Sequence, residues 1–257
     1  MNDPKTIDVS IKKMDEMPST NDCLALICRE GKAEEFYTVV TEFQTAGKGQ
    51  RGNSWESEAG KNLLFSTVLY PTALEAKYQF YVSMLAALAI HEALSSYTSG
   101  FSIKWPNDIY WKNQKIAGIL IENEIEGKYL NQSIIGVGLN VNQEKFLSDA
   151  PNPVSLKQII GADIDRQELL EKILHGIIGG YHQLEENFER TSQTIGLLYL
   201  KHFYRRKGLH TYRDADGIFR AKFHRMEEDG RLLLKDEEGI VRRYAFKEVE
   251  FVIDETD

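Results

Sequence analysis

Lys104-Trp105-Pro106-Asn107-Asp108-Ile109-Tyr110-Trp111, then Lys115-Ile116-Ala117-Gly118-Ile119-Leu120 after a three-residue gap, decides how this chain is read. Residues 101–104 read as a short strand. Pro106 fixes a turn and biases Trp105 to an extended backbone. The turn then aims Lys104, Asn107 and Asp108 from a strand end, although Asn and Asp also favour turns for local reasons. Residues 109–111 and 115–122 read as a hairpin around the polar turn Lys112-Asn113-Gln114. By strict alternation Lys115 shares a face with Ala117, Ile119 and Ile121. Such a lysine either snorkels at an edge or is a buried cation awaiting an anion, and periodicity does not choose between them. Gly118 on the opposite face leaves room for something bulky.

Upstream lies Gly47-Lys48-Gly49-Gln50-Arg51-Gly52. Its glycines let backbone approach a ligand, its amides can cradle phosphate oxygens, and Lys48 and Arg51 add charge. An ordinary hairpin loop with solvated charges would look the same. No Gly-Lys-Ser/Thr closes it as a P-loop, and Trp55 with a strand follows where a dinucleotide fold would open a helix. Ser19-Thr20-Asn21 reads first as a helix N-cap, with polar ligand binding as the alternative. Gly136-Val137-Gly138-Leu139-Asn140 ends an apolar strand and suits either backbone packing or a ligand at the strand end. Gln44 is uninformative by itself. Together the two main motifs point to chemistry that joins a carboxylate to a nucleotide.

The rest of the chain reads as mixed strands and helices followed by a β module, hence α+β. Strands are expected at 7–13, 36–43, 62–70 and 133–141. A capped helix is expected from Ser19, a buried helix over 76–97 and an amphipathic helix over 168–189. Asp216-Gly217, Asp229-Gly230 and Glu238-Gly239 are evenly spaced turn signals, so residues 208–257 are expected to close a small β-barrel. That sets a boundary near 204–208, giving domains 1–204 and 208–257. The run Lys201 to Arg213 interleaves cations with aromatics, a nucleic-acid pattern, but reads better as a helix C-terminus.

The chain has 257 residues, 42% of them hydrophobic, enough for a sizeable core. Its net charge of −8 gives no general attraction to DNA or anionic membrane. No apolar run is long enough to span a bilayer, and residues 1–13 show no signal-peptide pattern. Cys23 and Cys28 lack metal-ligand neighbours and read as reduced thiols of a cytoplasmic protein. No metal ligands are assigned, since the six histidines follow no metal spacing.

In combination and in order, Ser19-Thr20-Asn21, Gln44 to Gly52 with Trp55, Lys104 to Asp108, Lys115 to Leu120 and Gly136 to Asn140 resemble the biotin protein ligase family. The resemblance implies a mixed β-sheet flanked by helices, of the class II synthetase and biotin–lipoate ligase kind, with an SH3-like C-terminal β-barrel. It implies a two-step reaction. Biotin and ATP, with Mg2+, give biotinyl-5′-AMP, and biotin then passes to a lysine of a biotin carboxyl carrier domain.

By position, Ser19, Thr20, Asn21, Gln44, Gly47, Lys48, Gly49, Gln50, Lys115, Leu120 and Gly136 would surround biotin. Arg51, Gly52, Trp55, Lys104, Asn107, Lys115 and Asn140 would meet ATP. Lys115, Asp108, Lys48 and Arg51 would carry the chemistry, and the loop would act as a lid. The family's loop often has arginine where this chain has Lys48 and Gln50, so charge is kept at one position and lost at the other. Some members begin with a DNA-binding domain. This chain enters the catalytic motifs by Ser19, so no such domain and no DNA partner are expected. A two-fold homodimer through a sheet edge is compatible with the reading. The rivals are a lipoate or octanoate ligase or transferase of the same superfamily and, from another class, a non-catalytic nucleotide or effector-binding regulator.

Overall fold

A computed structural model describes residues 9–147 and 152–253. The strands β1 (Ile11–Met17), β2 (Thr38–Gln44), β3 (Leu63–Leu69), β4 (Phe101–Lys104), β5 (Asp108–Trp111), β6 (Gln114–Glu126) and β7 (Tyr129–Leu139) form one sheet. Its order is β1-β2-β3-β7-β6-β5-β4. β1 and β2 run parallel, joined by helix α1 (Thr20–Arg29) as the crossover a parallel pair needs. The other neighbours are antiparallel, so the sheet is mixed, as expected. The predicted first strand at 7–13 begins outside the described residues, and β1 lies further along the chain.

The helices α2 (Phe80–Ser95), α3 (Leu156–Ile160), α4 (Arg166–Glu186) and α5 (Phe188–Lys201) complete this part. α2 is buried on nearly every side against the sheet, α4 and α5. Gly180 of α4 makes that contact possible, because a Cβ there would lie 2.3 Å from Leu85 Cδ1. The helix expected over 168–189 forms as α4 but stops at Glu186, and residues 188–189 already belong to a second helix, α5. Asn187 caps the end of α4, and its side chain accepts from Arg190 N at 3.1 Å to start α5. These helices cover one face of the sheet. On the other face α1 builds a smaller apolar cluster with Met17, Leu24, Val39, Val68 and Ile134.

Strict alternation fails at Lys115. Ile109 pairs with Ala117 but Tyr110 pairs with Lys115, so a bulge inserts Ile116. Ile116 and Ala117 are both buried. Lys115 therefore shares the face of Gly118, whose added Cβ would lie 3.4 Å from Lys115 Nζ. The expected companionship with Ala117 and Ile119 is corrected accordingly, and the lysine faces the α1 side of the sheet.

After α5 the chain bridges β4 at Ile103 and Phe203 and enters a second sheet. Its strands are β8 (His210–Asp214), β9 (Gly217–Met226), β10 (Leu232–Asp236), β11 (Val241–Tyr244) and β12 (Glu250–Phe251). The order is β11-β10-β9-β8-β12, with every pairing antiparallel. The predicted turns form, with Gly217, Gly230 and Gly239 all at positive φ. The expected closed barrel is not seen. β11 and β12 stand at opposite ends of the sheet and do not pair with each other among the described residues. Trp105 ties the two sheets together: its ring is buried and its Nε1 donates to the Gly230 carbonyl at 2.8 Å.

Candidate functional site

A cleft of about 1260 Å3 opens on the α1 face, between α1, the glycine-rich loop, the centre of the sheet and β12. It gathers most of the residues singled out in the sequence. Ser19, Thr20, Asn21, Gln44, Lys48, Gly49, Gln50, Gly52, Trp55, Lys104, Asn107, Asp108, Lys115, Leu120, Gly136 and Asn140 all line it. Gly47 does not appear in the lining. A Cβ there would meet the Trp55 carbonyl at 2.7 Å, so Gly47 lets the loop close on itself. The backbone of Arg51 belongs to a short 3-10 turn, Gln50–Gly52, while its side chain lies outside what the structure describes.

One end of the cleft is a polar floor at the N-terminus of α1. Ser19 is the N-cap, as its sequence suggested, and accepts from Asp22 N at 3.4 Å. Thr20 and Asn21 face inward and are buried. Gln44 Oε1 accepts from Thr20 N at 2.8 Å and from Thr20 Oγ1 at 3.1 Å. With its oxygen so engaged, Gln44 has its amide nitrogen to offer a ligand. Asn21 Nδ2 donates to Glu122 Oε2 at 2.7 Å, leaving Oδ1 as acceptor for Ser66 Oγ at 2.6 Å. Ser66 Oγ also lies 2.7 Å from Thr20 Oγ1. Sequence reasoning missed Ser66 and Glu122. The available signal was Ser66 beside Thr67 inside an apolar strand, and Glu122 where the apolar run of β6 gives way to polar residues. Gly136 sits under Asn21 so closely that a Cβ would lie 2.0 Å from Asn21 Oδ1.

The other end is cationic. Lys48, Lys104, Lys115, Arg213 and Lys247 line the cleft against the carboxylates of Glu56, Asp108 and Glu250. An acidic chain thus has a locally positive cleft, suited to anions. Lys115 Nζ lies 2.7 Å from Asp108 Oδ1, yet among the described residues that oxygen has no well-aimed hydrogen bond. Lys104 Nζ sits 5.2 Å from the Tyr110 ring centroid and 5.0 Å from that of Phe251. Burial holds the Lys104 ammonium below the usual lysine range, and the Lys115 charge adds to the effect against the opposing pull of Asp108.

Two residues expected to meet a ligand also hold the fold. Asn107 Nδ2 donates to the Ile119 carbonyl at 2.6 Å, and buried Asn140 Nδ2 donates to the Val154 carbonyl at 3.2 Å. Trp55 lies across Gly118 and Gly138. A Cβ at Gly138 would come within 2.4 Å of its ring. Gly118 therefore does admit a bulky group, and that group is Trp55. Its buried Nε1 has no hydrogen-bond partner among the described residues. Arg213, Lys247 and Phe251 come from the second sheet and were not anticipated. Of the basic run 201–213, Arg205 is tied internally, donating to the Thr211 and Val252 carbonyls.

The profile of the biotin/lipoate A/B protein ligase family matches residues 14–140. The bifunctional ligase/repressor BirA of Bacillus subtilis is 32% identical over 226 residues, covering 83% of this chain. The chain spans 66% of that relative's length. The biotin–[acetyl-CoA-carboxylase] ligase of Paracoccus denitrificans is 34% identical over 142 residues, covering 52% of this chain and 58% of the relative. Among solved structures, the biotin protein ligase of Aquifex aeolicus in complex with biotin and ATP superposes with a TM-score of 0.76 at 27% identity. That match covers 95% of this chain and 99% of the other.

Proposed function

This chain belongs to the biotin/lipoate A/B protein ligase family, and we propose that it is a biotin protein ligase. It activates biotin with ATP to biotinyl-5′-AMP and passes biotin to a lysine of a biotin carboxyl carrier domain. The observation that carries this reading is the placement of Lys115. The bulge turns it into the cleft, between a polar floor and a cationic end.

The floor of Ser19, Thr20, Asn21, Gln44 and Gly136 takes the polar head of biotin, where amide donors and acceptors are already oriented by Ser66 and Glu122. Leu120, Lys48, Gly49 and Gln50 flank it, with Gly47 shaping the loop. ATP lies toward Trp55, Lys104, Asn107, Asn140 and Gly52, with Arg51 beside them in the chain. Two anions, the biotin carboxylate and the α-phosphate, must then meet. Lys115 and Lys104 offset their repulsion, and most of the rate gain comes from positioning and fixed charge. Asp108 orients Lys115 and stands ready for the incoming carrier lysine.

Among the described residues no cluster of three or more His, Cys, Asp or Glu side chains could hold a metal. Asp108 Oδ1 already lies 2.7 Å from the Lys115 ammonium, so Mg2+ would be held mainly by the phosphates of ATP. When bound, Mg2+ would neutralise the departing pyrophosphate. The second sheet is, on this reading, the family's SH3-like module with its barrel left open. The enzyme works in the cytoplasm with Cys23 and Cys28 reduced.

The test is transfer. The protein is incubated with biotin, ATP, Mg2+ and a biotin carboxyl carrier domain, and label is read with streptavidin. Label on the wild-type carrier and none on a carrier whose acceptor lysine is changed to arginine supports the reading. An unlabelled wild-type carrier contradicts it.

A further inference from the structure

We propose that Lys247 is a positioning residue for the glycine-rich loop, and that through it the second sheet sets how tightly the loop covers bound substrates. The proposal rests on the ligase reading above.

Lys247 Nζ donates to the Gln50 carbonyl at 2.8 Å, a contact between residues 197 apart in sequence. An ammonium on a carbonyl is a charge-assisted bond, stronger than its neutral counterpart. The loop's other side is fastened too, by Lys48 Nζ to Asp22 Oδ1 at 2.6 Å. Gly49 lies between the two straps. The loop is thus slung between α1 and the second sheet, across the mouth of the cleft.

The Lys247 end is anchored in the core. Lys247 sits in the turn between β11 and β12 at φ 70°, a backbone conformation lysine rarely adopts. That turn is closed by Ala245 N donating to Glu248 Oε2 at 2.6 Å. Next to Lys247, Phe246 packs against Trp105 with ring centroids 5.4 Å apart and against Phe80 at 5.7 Å. Trp105 belongs to the turn that carries Asn107 and Asp108. One packed chain of contacts therefore runs from the catalytic turn through Phe246 to Lys247 and on to the loop backbone. A mixed anhydride in the cleft survives only where water is kept out, and a loop held at both sides does that.

The experiment uses the full chain and the variants Lys247→Met and Lys247→Arg. Lys247 is exposed, so neither change should disturb folding. Three readouts are taken: tryptic cleavage after Lys48 and Arg51, KM against kcat for biotin-dependent exchange, and AMP released per carrier labelled. Lys247→Met should speed cleavage, raise KM more than it lowers kcat and raise wasted AMP, each by about 3- to 10-fold, the range of an ordinary hydrogen bond, because solvent screens the charge of this exposed lysine. Lys247→Arg should return all three most of the way. Wild-type cleavage and wild-type AMP per label in Lys247→Met would overturn the proposal, as would equal effects in both variants accompanied by a lower Tm. If the wild type shows no biotin-dependent exchange, the ligase reading fails, and the cleavage rates alone then decide the strap.

Discussion

Lys115 and Asp108 face each other across a bulged pair of strands, with Lys115 Nζ 2.7 Å from Asp108 Oδ1. The lysine side chain is 27% exposed and the aspartate 13%. Because the carboxylate oxygen has no well-aimed hydrogen bond, the pair is held mainly by charge. Drawing Lys115 away would strand a buried carboxylate oxygen, so Asp108 keeps the lysine in the cleft until an incoming anion compensates it.

Lys115→Met should leave the fold intact and slow biotin adenylation by roughly 10²–10³, the loss typical of one preorganised donor. Exchange kinetics and a melting curve on the same sample check this. A rate within threefold of wild type would remove Lys115 from the chemistry.

Asp108→Asn keeps the size of the side chain and removes its charge. Adenylation should fall modestly, because Lys115 loses its guide, and transfer to the carrier should fall further. Measuring the half-reactions separately, with isolated biotinyl-5′-AMP for the second, separates the two roles. If both rates match wild type, Asp108 has neither.

Gly136→Ala drives a methyl group into Asn21, which cannot yield because Ser66 and Glu122 hold it at 2.6 and 2.7 Å. Overpacking of this kind costs about 1–3 kcal/mol. The KM for biotin should rise while that for ATP stays near wild type. An equal rise in both would mean that the polar floor is not the biotin subsite.

Much of this architecture was legible beforehand. The turn Trp105-Pro106-Asn107-Asp108, the hairpin after it and the glycine turns of the second sheet follow from local chemistry, and they form where expected. What was not legible depends on the partner strand or on distant segments. The face of Lys115 is set by a bulge, and alternation along β6 alone cannot show one. The break at Asn187 was hidden because apolar spacing continues through Phe188. Arg213, Lys247 and Phe251 enter the cleft only because the second sheet docks beside β4. The barrel inferred from even turn spacing stays open, since spacing predicts hairpins and says nothing about closure.

Acid should weaken the fold through His91. Its ring is buried, 4.0 Å from the His202 ring centroid, with Nε2 3.2 Å from the Phe101 carbonyl and Ser95 Oγ at 3.5 Å from Nδ1. Burial first, then the charges of His202 and Lys201, lower its pKa to about 4 from an ordinary 6.5. The folded state therefore binds this proton less readily than the unfolded chain. The stability is full above pH 6.5 and is lost as pH falls from there through 4, by at most about 3 kcal/mol. Denaturant midpoints between pH 7 and 4.5 should show the slope, and His91→Gln should flatten it. An unchanged slope in that variant would assign the acid sensitivity elsewhere.

The most direct test of the central claim is ATP–pyrophosphate exchange by the purified protein with Mg2+ and biotin, with lipoate and octanoate in parallel. The account predicts exchange that requires biotin, is not supported by the other two acids and collapses in Lys115→Met. Exchange with lipoate or octanoate but not biotin, or none with any acid from folded protein, would contradict it.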